Sequence, residues 1–445
     1  MSGRPSLVQS LLELIRAGNL KGFLARAEKV EPADLGDVLA SLGEEDRLKV
    51  VQALPTRVSG KALVEMPDES QAEETLVALD PEQAAEIVEE LPDDEAADIL
   101  GGLDRDEQER ILSGVEDRAE VERLLRYDEE SAGGLMTAQV VTVRDTDSAA
   151  QAIEAIRRQA EEVGEFYQVF VVDADRRLVG VLPLKDLVTS PPERPVRDIM
   201  ESAEIRVLPE VDQEEVARLM ARYNLPSVPV VDPGGRLLGQ VTFDDVIDVV
   251  EAETTEDLLK FGGVPPDEDL TAGWSTAVKS RLPWLYLNLA TAFLAGAVVY
   301  VFQDMLIRTV ALAVWMPIIA GMGGNAGTQA LAVTVRRLAL GLIPLGRFAQ
   351  VVGKEVLVGL VNGLSVGSVV ALVAYLAGQG PLLGLVVFLA MAGNLFVAGC
   401  VGALVPIVLA RLKIDPAIAS SVFVTTFTDV CGFLLLFGLA GALLL

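Results

Sequence analysis

Apolar positions in the first part of the chain recur about every twelve residues. Leu42, Leu54 and Met66 are 12 apart, Leu79 follows after 13, and Leu91, Leu103 and Val115 continue in steps of 12. Most are followed by Pro, Gly or Asp, then by acids, then by a stripe of Ala, Ile and Leu, as in LDPEQAAEIVEE and LPDDEAADILGG. Pro or Asp opening a helix with acids in its first turn is N-terminal capping chemistry. Helices this short cannot bury their apolar stripes alone. The units are therefore expected to stack into an all-α superhelix over residues 1–128.

The period then changes. FYQVFVVDADRRLVGVLPLKDLVTS (Phe166–Ser190) reappears as LPSVPVVDPGGRLLGQVTFDDVIDV (Leu225–Val249), with Val171, Gly180 and Asp186 each matched 59 residues later by Val230, Gly239 and Asp245. Upstream, Leu135-Met136-Thr137 pairs with Ile199-Met200-Glu201. β-Branched runs bounded by Asp and Gly turns predict strand, helix, strand, turn, strand, helix in each unit. The pair resembles a tandem of cystathionine β-synthase (CBS) domains, 129–192 and 193–249, an α/β module that is usually sensory. A helical connector, Asp244–Gly262 within 244–280, follows, apolar at Ile247, Val250 and Leu258 and acidic on its other face.

From residue 281 the polar pattern nearly disappears. Apolar runs predict five membrane spans, about 283–302, 309–335, 355–378, 382–410 and 417–442, each long enough for the roughly 20 residues that cross a bilayer. Four glycines and an Asn in GMGGNAGTQ argue against a continuous second helix. Arg336, Arg337, Arg347 and Lys354 follow the second span and Arg411 and Lys413 the fourth, which predicts cytoplasmic loops there, cytoplasmic N-terminal domains and an outside C-terminus.

Residues 283–445 hold four acids and seven basic residues, against totals of 65 and 36, so the first 282 residues carry a net charge of −32. That density argues for a cation as partner and against nucleic acid. There is no histidine, and both cysteines, Cys400 and Cys431, fall in apolar runs. His-ligated zinc or copper, His-based catalysis and a disulfide framework are excluded, and the chain reads as no enzyme. The N-terminal MSGRPSLVQSLLELIRAGNL lacks the apolar core of a signal peptide.

Asp429 sits inside VFVTTFTDVCGFLLLFGLAGALLL. A carboxylate at that depth costs at least roughly 2.5–3.5 kcal/mol, so it should face a water-filled path or a cation. In the glycine run, Gly324 and Asn325 let backbone carbonyls and an amide approach closely, although close helix packing is the plainer reading of the glycines. A lining of oxygen alone suits Mg2+ or Ca2+.

Superhelix, CBS pair, acidic connector and a five-span domain bearing GGNAGTQ and FVTTFTDVCGF together resemble the MgtE family of bacterial magnesium channels over essentially the whole chain. The resemblance implies a homodimer in the bacterial inner membrane, with one Mg2+ pore closed when cytosolic Mg2+ draws a plug helix over it. Carried over by motif, Asp429 and the Thr425 backbone, beside Gly324 and Asn325, bind the pore ion. Asp94, Asp98, Asp128, Gly134, Asp212, Glu214, Ala221, Asp245, Asp248, Glu253, Glu256, Asp257 and Asp415 form the regulatory set. Asn224, Ser421 and Lys61 depart from the family's pattern. CBS pairs often bind nucleotides, which makes ATP a second expected ligand. The rival readings are a proton-coupled divalent cation transporter with Asp429 as relay, and a nucleotide-sensing membrane protein.

Overall fold

The computed structural model describes residues 4–67, 69–116, 118–163, 166–265, 273–343, 347–416 and 421–444. It divides into two compact units, Met1–Val250 and Glu251–Leu445.

The first unit opens with short helices: α1 (Arg4–Arg16), α2 (Leu20–Ala27), α3 (Pro32–Ala40), α4 (Glu44–Ala53), α5 (Thr56–Val64), α6 (Glu69–Ala78), α7 (Pro81–Glu89), α8 (Asp93–Gly101), α9 (Arg105–Leu112) and α10 (Ala119–Leu124). Alternate helices stack. One row runs α1, α3, α5, α7, α9 and the other α4, α6, α8, α10. Leu42, Leu54, Met66, Leu79, Leu91 and Val115, six of the twelve-residue repeat positions, are buried in the turns that follow the helices. The zigzag follows from the period: a helix of about nine residues and a tight turn reverse the chain each time, so neighbours in a row are two units apart. Arg47 is buried in the second row, where Nε donates to Thr75 Oγ1 at 2.8 Å and Nη1 to Gln71.

The CBS pair follows, as β1 (Thr142–Arg144), α11 (Ala149–Val163), β2 (Val169–Val172), β3 (Leu178–Leu182), α12 (Leu184–Thr189), α13 (Gln213–Tyr223), β4 (Ser227–Val231), β5 (Leu237–Thr242) and α14 (Phe243–Gly262). Strand β1 pairs parallel to β2, β2 antiparallel to β3, and β4 antiparallel to β5. The second copy departs from the expected pattern, because its opening strand is reduced to one parallel bridge, Val207 to Val230. Pro229 in β4 has no N–H to extend that ladder. The two hairpins meet at their tips, where Leu178 N donates to Gly235 O at 2.9 Å and Leu237 N to Arg176 O at 3.0 Å.

The second unit contains α15 (Trp274–Val301), α16 (Gln303–Arg308), α17 (Leu312–Ala339), α18 (Phe348–Leu376), α19 (Pro381–Arg411) and α20 (Ser421–Leu443). Among the described residues, four helices, α15, α18, α19 and α20, are long and apolar enough to cross a membrane. The expected second span, α17, is not among them, since Asn325, Thr328, Gln329 and its glycines dilute its apolar character. The start of the last predicted span, 417–420, lies outside the described residues. The expected break at GMGGNAGTQ is corrected: α17 is one helix of 28 residues with Pro317 inside it. Glycine costs a helix about 1 kcal/mol each relative to Ala, but here Gly323, Gly324 and Gly327 are buried where neighbouring helices close in. Helix α19 is the hub. Gly359, Gly363 and Gly367 of α18, one turn apart, lie against its backbone at Leu395, Ala392 and Phe388, the small-residue packing of membrane helices.

Candidate functional site

In the second unit, α17 and α20 bring part of the expected pore set together. A methyl on Gly324 would rest 3.1 Å from Thr425 Cγ2. Asp429 lies one turn further along α20, half-buried, while Asn325 and Gln329 occupy the exposed side of α17. The Thr425 carbonyl also accepts the Thr428 hydroxyl at 3.0 Å. Behind this pair sits Asn394 of α19, fully buried. Its Nδ2 donates to Ile319 O at 2.9 Å, and its Oδ1 has no hydrogen-bond partner among the described residues. A buried acceptor left unpaired costs about 1–3 kcal/mol. Glu355, also buried, is tied to Arg337 at 3.4 Å.

The same unit gathers Glu256 and Asp257 of α14 with Asp415. Lys260 stands among them, its Nζ 2.6 Å from Asp415 Oδ2 and bonded to Glu256. Burial works against the Lys260 charge, but both carboxylates outweigh it and hold the ammonium above its ordinary value. Burial, then the charges of Asp415 and Glu256, push the Asp257 carboxyl up against the opposing pull of Lys260 and Arg336. Further up α14, Asp248 is exposed and Glu253 half-buried.

In the first unit, the start of α8 meets the end of β5. Asp94 is pushed up by burial first and then by Asp244, while Thr137 bonds and lowers it. Among the described residues its Oδ1 has no hydrogen-bond partner, nor has Oε1 of Gln240. Gln240 is buried, and its backbone exchanges N–H···O bonds with Thr137 at 2.9 and 3.0 Å. Asp245 accepts from the Thr242 hydroxyl, and burial raises it to about 6, with Asp94 and Asp244 adding to the rise. Glu95 rises to about 7 through burial and the Asp94 charge, opposed by Lys61.

The remaining expected residues are dispersed. Asp98 is exposed on α8. Asp128 caps the hinge by accepting from Glu130 N at 3.1 Å, and a side chain on Gly134 would strike the Asp128 carbonyl. The hinge runs beside the start of α13, where Ala132 N donates to Val211 O at 2.6 Å and Asp212 caps the helix by accepting from Glu214 N at 2.9 Å. Glu214 is 3.4 Å from Arg218, and Ala221 is exposed. No group of three or more His, Cys, Asp or Glu side chains forms a metal cage among the described residues. Single carboxylates and pairs match Mg2+, which keeps several of its waters. Gln240, Lys260 and Asn394 were not anticipated. Each was visible only as a polar outlier, Gln240 at an inward strand position and Asn394 within MAGNLFVAG.

The family profile described as a divalent cation transporter, MgtE, matches residues 316–439. The MgtE intracellular N domain matches 30–130, and the CBS domain matches 132–193 and 196–252. The chain is 38% identical to the magnesium transporter MgtE of Thermus thermophilus, covering 98% of each chain. It is 32% identical to the protein of the same name from Bacillus subtilis, over 98% of this chain and 97% of that one. A solved cytosolic domain of the Mg2+ channel MgtE in complex with ATP is 38% identical, with a TM-score of 0.51, covering 54% of this chain and 99% of that one.

Proposed function

From the premise that the chain belongs to the MgtE family of divalent cation transporters, we propose that it is a Mg2+-selective channel. It imports Mg2+ down its electrochemical gradient and closes when its acidic domains bind Mg2+. The observation that carries this reading is Asp429, a carboxylate in the apolar helix α20, one turn from Thr425 where Gly324 of α17 comes close. A single fixed charge beside backbone and hydroxyl oxygens can hold a hydrated Mg2+ through its waters without stripping them. Helix α17 then serves as the fifth span, its polar residues turned toward a second copy of the chain across the pore. The dimer lies in the bacterial inner membrane, with the acidic unit cytoplasmic and the C-terminus outside.

Closure falls to the acidic pairs. Asp94 and Asp245 repel each other in a partly desolvated place, and the orphan oxygens of Asp94 and Gln240 are free acceptors for a hydrated divalent ion. Glu256, Asp257 and Asp415 offer a second place, and Asp98, Asp128, Gly134, Asp212, Glu214, Ala221, Asp248 and Glu253 complete the sensing surface. Mg2+ favours closure only to the extent that it binds the closed arrangement more tightly. ATP at the CBS pair is a further ligand, in line with the nucleotide in the solved relative. A proton-coupled exchanger needs a second available titratable group among the spans, whereas Glu355 is committed to Arg337.

Reconstituted in liposomes with a Mg2+-sensitive dye inside, the wild-type chain should carry Mg2+ down its gradient and the Asp429→Ala variant should not. Full selective flux through that variant would overturn the assignment.

A further inference from the structure

We infer that Asn394 is a positioning residue of the ion path, the wedge that sets how far α17 and α20 stand apart. This rests on the Mg2+ channel reading and names a residue outside its lining.

Asn394 lies inside α19 at 0% exposure. Its amide fills the gap between two glycines, one on each lining helix. A side chain on Gly323 of α17 would strike Asn394 Nδ2, and one on Gly432 of α20 would sit 2.8 Å from the same atom. Both glycines flank the chemistry: Gly323 precedes Gly324, and Gly432 lies about one turn beyond Asp429. The Nδ2 bond to Ile319 O at 2.9 Å pins α17 one turn before Gly323.

Packing alone does not explain an amide here. A Leu has the same branched four-atom skeleton and leaves no unpaired Oδ1, and replacing a half-satisfied polar group by an apolar one of the same shape is close to neutral for stability. What Leu cannot do is fix α17 by a directional bond across the helix crossing. The amide therefore sets the register of Gly324 against Thr425, and with it the oxygens that face the ion beside Asp429.

Two substitutions test this in the full-length protein. Asn394→Leu removes the bond. Gly323→Ala keeps the amide but drives a methyl into it. Each is reconstituted and read for assembly, thermal stability, Mg2+ flux and the ratio of Mg2+ to Ca2+ flux. Asn394→Leu should assemble with unchanged or raised thermal stability, yet lose Mg2+ over Ca2+ discrimination by about tenfold, the factor that corresponds to about 1.4 kcal/mol. Gly323→Ala should move the ratio in the same direction. A purely structural Asn394 would instead lower stability and leave the ratio of the assembled protein unchanged, which overturns the inference. If Asn394→Leu does not assemble, Gly323→Ala decides alone by the same ratio. Wild-type selective flux with unaltered variants removes this inference and spares the channel reading. Absence of selective flux in the wild type removes both.

Discussion

Replacing Asp245 by Asn probes the charge held between α8 and β5. The side chain keeps its shape, and its carbonyl oxygen can still accept from the Thr242 hydroxyl, so the change is chiefly the loss of a negative charge. Burial and two neighbouring acids raise the Asp245 carboxyl from 3.8 to about 6. At about 1.4 kcal/mol per unit this is a ceiling of about 3 kcal/mol against the ionised form. Asp245 is partly exposed and shares its repulsion with Asp94, so about 1–2 kcal/mol is the realistic share. The sign follows from proton binding: a carboxyl raised where α8 meets β5 binds more protons there than when the two are apart, so this contact strengthens as pH falls. The window runs through about 7 for Glu95, where that carboxyl is half protonated, and about 6 for Asp245, and closes toward the ordinary carboxyl value near 4. Limited proteolysis of the full-length protein in chelator reads the population of the open form. At pH 8 Asp245→Asn should be cut about 5- to 30-fold more slowly between the superhelix and the CBS pair. It should gain less protection than wild type from either acidification or millimolar Mg2+. Faster cutting of the variant at pH 8, or wild-type protection that falls on acidification, would show that the Asp245 charge does not hold α8 and β5 apart.

Lys260→Met removes the ammonium from Glu256 and Asp415, so Asp257 and its neighbours should bind divalent cations more tightly, and channel closure should need less cytosolic Mg2+ in flux assays. A Gly402→Leu substitution pushes a side chain onto the backbone at Gly327 and Leu331, with Gly327 O only 2.5 Å from the first added carbon. Backbone cannot yield there, so assembly measured by size-exclusion chromatography should fail. Deleting Met1–Arg126 removes Asp94 and Asp98, and the truncated protein should still carry Mg2+ while its Mg2+ inhibition curve shifts to higher concentration. An unshifted curve would make the acidic superhelix a solvated surface.

What was legible in the sequence was periodic. The twelve-residue recurrence from Leu42 to Val115 yields the two-row superhelix, because a buried apolar residue in the turn after each short helix reverses the chain at a fixed interval, while the helices bury stripes such as Ala84, Ala85, Ile87 and Val88. The offset of 59 between Val171 and Val230 yields the paired CBS units. Two expectations failed for physical reasons that local pattern does not carry. Glycines in GMGGNAGTQ lower helix propensity, but packing of Gly323, Gly324 and Gly327 against α19 and α20 outweighs it. The reduction of the second CBS unit's opening strand to one bridge follows from Pro229, whose lost donor matters only once its partner strand is known. At the candidate sites, Asp429 stood out as a charge in an apolar run. The meeting of Asp94 with Asp245 comes from topology across some 150 residues of chain, and no spacing rule announces it. The family resemblance supplied the residues, and the structure supplied their neighbour Gln240, whose Oε1 has no hydrogen-bond partner among the described residues.

In the proposed channel Mg2+ passes at Asp429, and cytosolic Mg2+ closes the path. Single-channel recording from excised patches, stepping Mg2+ on the cytoplasmic face from micromolar to about 10 millimolar, tests both parts at once, since regulatory sites with few protein ligands bind in that weak range. The wild-type chain should carry a Mg2+ current whose open probability falls steeply with cytosolic Mg2+, and Asp429→Asn should carry none. A Mg2+ current that persists in Asp429→Asn, or an open probability indifferent to cytosolic Mg2+, would contradict the proposed channel.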